Sequence, residues 1–239
     1  MLSPKEIKKR YKVAQTKKEQ WRTIYEEAYE FCLPMRNLYD GYYEMDGTPG
    51  QDKMKRVFDS TAIHSTSRFA NRIQSSLFPP QQNWCRLMPG NDVPPDQKVQ
   101  AQRILDIYSE RMFSVMRQSN FDLALSEYLL DLAVGTAAML IQPGSGDIPI
   151  RYTSIPLYQI TFDEGPDGDV GYVYRKYKRP FEVILQEYKD GTLPDELKKK
   201  YAEKPQANVD LLEVSYRKDN QVYYCVQTME GDHKIVSRK

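Results

Sequence analysis

Histidine and cysteine are scarce, at two and three of 239 residues. Cys32, Cys85 and Cys225 are far apart and odd in number. They make neither a disulfide framework nor a Cys-x-x-Cys metal or redox motif, so reduced thiols in a cytoplasmic setting are expected. There is no His-Glu-x-x-His and no G-x-x-x-x-G-K-[ST], so the zinc-protease and P-loop signatures are missing. Long apolar runs are missing too. The longest, Leu132 to Ile141, is too short to cross a bilayer, and the opening MLSPKEIKKR lacks the apolar core of a signal peptide. No membrane partner is expected. An excess of one charge sign is also absent: 34 Lys and Arg face 33 Asp and Glu, a net +1. The chain as a whole therefore advertises neither nucleic acid nor an acidic partner. Internal repeats and low-complexity tracts are lacking.

Tyrosine is abundant, with 18 residues, and the charge is unevenly spread. The first 22 residues hold Lys5, Lys8, Lys9, Arg10, Lys12, Lys17, Lys18 and Arg22 against Glu6 and Glu19. Ser3-Pro4-Lys5-Glu6 is a capping box with Pro at the first helical position, which predicts a helix from there to about Phe31. Its first half reads as a solvated basic face, and Leu33-Pro34 stops it. Residues 38–52 are rich in turn formers. A second helix is expected over about 53–78, with Ala62, Ile63, Thr66, Phe69, Ala70, Ile73 and Leu77 at helical spacing. Pro79-Pro80 ends it. A third is expected over about 95–117. A fourth, over about 121–134, has Ser119 or Asn120 as cap, apolar residues on most sides and Gly135 at its end.

The period then changes to two. Residues 136–142, 158–164, 169–178, 209–218 and 221–230 read as strands, with Asp167-Gly168 and Lys218-Asp219-Asn220 as hairpin punctuation. Between them, 181–188 and 193–204 read as short helices. A helical part followed by an antiparallel β part is an α+β arrangement. The division falls at residue 135, with 1–135 helical and 136–239 β-rich with two short helices. The chain closes on MEGDHKIVSRK without a terminating element, as expected of the N-terminal part of a longer protein.

Candidate chemistry is thin. PGSGD (143–147) has glycines but no lysine and reads as a loop. His64 could pair with a neighbouring serine in a hydrolase, but no oxyanion feature accompanies it. Asp163, Glu164, Asp167 and Asp169 faintly resemble a calcium loop. The twelfth position counted from Asp163 is Tyr174 rather than a bidentate Glu, so solvated carboxylates at a hairpin tip are the better reading. No cofactor and no metal are expected, and the chain is not expected to be an enzyme. The basic first helix can meet phosphates or an acidic protein surface. Trp84, straight after the double proline, reads as a core plug.

One resemblance draws these pieces together. W-R-T-I-Y-E-E-A-Y-E-F-C-L-P (21–34), R-V-F-D-S-T-A (56–62) and R-F-A-N-R-I-Q-S-S-L-F-P-P-Q-Q-N-W-C-R-L (68–87) resemble, in that order, the podovirus head-to-tail connector, or portal, family. The run ending in Val134-Gly135-Thr136 and I-P-L-Y-Q-I-T-F-D-E-G-P-D-G-D-V-G-Y-V-Y-R (155–175) also match. Cys85 after Trp84 departs mildly from the family pattern.

The resemblance implies a subunit of a dodecameric ring at one capsid vertex. Such a ring passes double-stranded DNA in during packaging and out during ejection. The implied partners are other copies of the subunit, the major capsid protein, the terminase, the tail adaptor and non-specific DNA. The implied location is the virion, after assembly in the host cytoplasm. It also implies that this chain holds mainly the wing, without stem, clip or crown. Pro79, Pro80 and Trp84 then fix the angle at which the helical part meets the strands. Lys5, Lys8, Lys9, Arg10, Lys12, Lys17, Lys18 and Arg22 become candidates for DNA or partner contact. The alternative is a non-enzymatic nucleic-acid-binding module that uses this basic helix.

Overall fold

The computed structural model describes residues 2–36, 57–165, 168–188, 193–218 and 221–238. The turn-rich 38–52, the first residues of the second expected helix, Asp167 and Asp219-Asn220 lie outside these. Two compact units are present: Met1–Thr23 with Tyr158–Lys239, and Ile24–Leu157.

The first unit is built on an antiparallel sheet of β3 (Ile160–Glu164), β4 (Val170–Pro180), β5 (Asn208–Lys218), β6 (Gln221–Thr228) and β7 (Lys234–Arg238), in chain order. The α+β reading holds. Alternation sorts the strand residues onto two apolar faces. Leu212, Val214 and Tyr216 bury on one side with Tyr174 and Cys225, under α1 (Pro4–Glu19). Val209, Leu211, Tyr177 and Val226 bury on the other, under α6 (Phe181–Glu187) and α7 (Asp195–Tyr201). β7 was not expected from the sequence.

The second unit holds α2 (Arg22–Cys32) from Ile24 onward, α3 (Thr61–Leu77), α4 (Lys98–Gln118), α5 (Phe121–Val134) and a hairpin of β1 (Ala138–Pro143) and β2 (Ile150–Ile155). The PGSGD loop is its turn, and Gly146 takes a positive φ of 62° there, which suits glycine. Leu125 and Leu129 of α5 pack with Ala70 of α3. Of Ser119 and Asn120, the two expected caps, Asn120 is the N-cap residue of α5, but its side chain makes no cap bond and serves the hairpin. Its amide donates to the Tyr152 carbonyl at 2.6 Å and accepts from the Tyr152 N–H at 2.9 Å.

Several boundaries differ from expectation. The helix expected over 4–31 is two helices: the Trp21 N–H turns back to the Lys18 carbonyl at 2.9 Å and the Gln20 N–H to that of Lys17, and these tight bonds end the first. The third helix starts at Lys98 because the carbonyl of Pro94 is engaged by Gln97 and Lys98 in a preceding turn. At Asp59 a carboxylate accepts from the N–H and hydroxyl of Thr61, which sets the start of α3. α5 is less enclosed than its apolar sequence suggests, since Leu123 is 67% exposed.

Candidate functional site

α1 carries the largest net charge of the described helices, seven Lys and Arg against two Glu. Ser3 and Glu6 close both halves of the capping box, with the Ser3 N–H donating to Glu6 at 2.8 Å. These bonds hold the Glu6 carboxyl below its usual range. Its first half is not merely a solvated face, because Ile7, Tyr11 and Ala14, spaced i, i+4 and i+7, are fully buried against the sheet. Tyr172, Tyr216 and Tyr223 lie directly opposite one another on β4, β5 and β6. Their rings stack at 5.4 and 5.2 Å. The Leu2 N–H donates to the Tyr216 hydroxyl at 2.9 Å, and the Gln227 amide donates to the Pro4 carbonyl at 3.1 Å. The helix start is thus tied to residues more than 200 positions away.

Five of the eight expected contact cations are occupied within this unit. Lys8 meets Asp232 and the Met229 carbonyl, and its hydrogen bond lowers the Asp232 pKa. Lys17 donates to Asp163 at 2.9 Å, so the acidic hairpin serves partly as an ion-pair partner. Lys18 donates to the carbonyls of Tyr158 and Ile160 at 3.0 and 2.6 Å. Burial pushes its ammonium down to about 8. Arg10 lies 5.0 Å over the Tyr172 ring, a cation–π contact. Arg22 faces Glu19 at 3.7 Å. Lys5, Lys9 and Lys12 remain exposed and make no side-chain hydrogen bond or ion pair among the described residues. They too recur at i, i+4 and i+7, so they form one line along the outer face of α1.

The residues after α3 sit in the other unit. Phe78 closes the helix, Pro79-Pro80 follow, and Gln81 takes a φ of 63°. Trp84 is half-buried rather than a fully enclosed plug. Its indole meets Phe78 edge-on at 4.9 Å and Phe113 at 5.4 Å, and stacks on Phe121 at 6.3 Å. Phe121 in turn meets Tyr152 of β2 at 5.1 Å. Trp84→Ala is expected to cost about 3 kcal/mol, the lower edge of the range for a large aromatic, because one side of the indole is open. A urea-unfolding midpoint equal to that of the parent would show that this cluster does not bear on stability.

His64 lies exposed on α3, and its imidazole makes no hydrogen bond among the described residues. A cleft of ≈ 300 Å³ opens beside α7, lined by Glu196, Lys200, Asp210, Glu230 and His233 among others. Its charges face one another, with Lys200 on Glu230 at 2.8 Å and His233 beside Glu196 at 3.6 Å. No described helix is long and apolar enough to cross a membrane. Sequence reading found the eight cations. It missed the tyrosine ladder, whose three members occupy separate strands and meet only through the register.

A family model described as bacteriophage head to tail connecting protein matches residues 4–237. No curated protein matches the chain significantly.

Proposed function

The chain belongs to the bacteriophage head-to-tail connecting protein family, a structural part of the virion that associates with head and tail components, and from that premise we propose that it is the portal subunit of a short-tailed phage. In this reading twelve copies close into a ring at one capsid vertex through head-to-tail contacts. A ring of this kind uses a different patch on each side of the subunit. Double-stranded DNA passes through it during packaging and ejection. The terminase docks first and the tail adaptor later, after assembly in the host cytoplasm. The helical part, 1–135, and the β-rich part, 136–239, together form the wing.

The observation that carries this reading is the family match, which runs through both compact units rather than through one. DNA that must slide is held through phosphates without regard to sequence. A broad, fixed surface therefore suits the task better than a pocket. Purified protein is expected to form closed rings visible by electron microscopy. Light scattering that shows a stable monomer at micromolar concentration would sink the proposal.

A further inference from the structure

Charge divides between the two units. The sheet unit holds 22 Lys and Arg against 17 Asp and Glu, a net +5; the other holds 12 against 16, a net −4. Within the sheet unit, the sheet-bearing segment is nearly neutral and α1 supplies the excess. Internal partners occupy Lys8, Arg10, Lys17, Lys18 and Arg22. What projects outward is the line Lys5–Lys9–Lys12, about 10 Å long at 1.5 Å rise per residue. The helix beneath it is seated by the buried Ile7, Tyr11 and Ala14, so the three lysines leave the backbone at fixed points along one line. The charge of Lys5 also acts on the Asp232 carboxylate, less than the hydrogen bond from Lys8 does.

We propose that the Lys5–Lys9–Lys12 row is the basic half of a subunit–subunit contact, and that its occupant is the acidic Ile24–Leu157 unit of a second copy. The inference deepens the self-assembly reading above and rests on it. Charge complementarity favours this occupant, since each copy carries both signs in separate units. A basic face that meets a differently charged unit is heterologous, so every copy offers one donor and one acceptor surface. Lysines are strongly hydrated point charges on flexible stems. They steer and align such a contact rather than lock it, so its strength falls with salt.

The test is the triple variant Lys5→Glu, Lys9→Glu and Lys12→Glu, with the matching triple Gln variant beside it. The three side chains are exposed and make no hydrogen bond or ion pair among the described residues, so both variants should melt at the parent temperature. The parent is expected to assemble at low salt, with the half-assembly concentration rising as salt approaches about 0.5 M, where charges are screened within a few ångströms. The Glu variant should need at least ~30-fold more protein to assemble, and the Gln variant should fall between. A heterologous contact makes a sharper demand. The Glu variant keeps its acidic unit, so mixed with the parent it accepts one neighbour and offers no surface to the next. It should shorten parent assemblies in proportion to its share. Glu-variant assembly that matches the parent in concentration and salt response overturns the inference and leaves the ring intact. So does unchanged assembly with lost affinity for a short DNA duplex, which would make phosphate the occupant. A parent that stays monomeric at every salt removes the self-assembly reading itself, and this contact with it.

Discussion

Raising the pH above about 10 is expected to unfold the sheet unit within one to two pH units, after a gain in stability of about 2 kcal/mol between pH 8 and 10. Six tyrosines of this unit have pKa values pushed up, with burial as the largest cause. Tyr11 is raised to about 12, and Tyr174, Tyr177, Tyr188, Tyr216 and Tyr224 are raised as well. In the unfolded chain each loses its proton near 10, whereas the folded unit keeps it. The stabilisation they give is therefore complete below pH 10 and is lost as the pH climbs towards their folded values. Each such group costs about 1.4 kcal/mol per pH unit in that window. Even half of the effect of the four most strongly shifted, Tyr11, Tyr174, Tyr177 and Tyr224, reaches ~3 kcal/mol at pH 11, a large part of the low end of a domain's whole stability.

Lys18 acts in the opposite sense at lower pH. Its folded value of about 8 lies below the usual 10.5, so the unfolded chain holds more protons between those two values. Stability rises with pH there. Urea midpoints measured from pH 7 to 11.5, alongside tyrosinate absorbance, check both limbs. Free titration of all the tyrosines near 10 with the circular dichroism of the fold intact would show that their rings are not enclosed.

Arg175→Met is expected to cost ~3–5 kcal/mol, the range for removing one member of a buried ion pair. Arg175 and Glu213 are direct register partners on β4 and β5. Their side chains are 11% and 7% exposed and meet at 3.4 Å. The Arg175 Nε donates to Gln159 at 3.2 Å, and the guanidinium lies 4.4 Å over the Tyr177 ring. Around them the Tyr177 and Tyr188 hydroxyls are 2.9 Å apart, and Tyr224 hydrogen-bonds to both Glu213 and Tyr188. Without the guanidinium, the Glu213 carboxylate remains among tyrosine rings without its ion-pair partner. Removing both charges, as in Arg175→Met with Glu213→Leu, should recover most of the loss, since the cost is the stranded charge. Urea unfolding of the four proteins in this cycle measures the coupling. Purely additive losses would mean that the pair is not coupled in the folded state.

What was legible in the sequence was local. The capping box at Ser3, the end of α3 ahead of Pro79-Pro80 and the span of α5 all rest on interactions within four residues, so they are present wherever the chain goes. The longer alternating runs also announced themselves, and β3, β4, β5 and β6 fall close to the expected segments. β2 and β7 did not. Arg151, Thr153 and Ser154 give β2 no clean alternation, and β7 is five residues long with polar ends. Each is a strand because a neighbour supplies its hydrogen bonds.

The candidate surface shows the same division. Sequence alone determined that eight cations crowd the first 22 residues and that a helix carries them. Tertiary structure decided which of them face outward. Lys17 finds Asp163 and Lys8 finds Asp232, while Lys18 finds the carbonyls of Tyr158 and Ile160, all 140 to 224 positions along the chain. Helical periodicity places Lys5, Lys9 and Lys12 on one line, but it cannot say that Lys8, one residue from Lys9, is spent on an internal bond. That depends on the packing of Ile7, Tyr11 and Ala14 against β5 and β6, which sets the rotation of the helix. A charge is counted by composition, but its partner is chosen by distance in the folded chain.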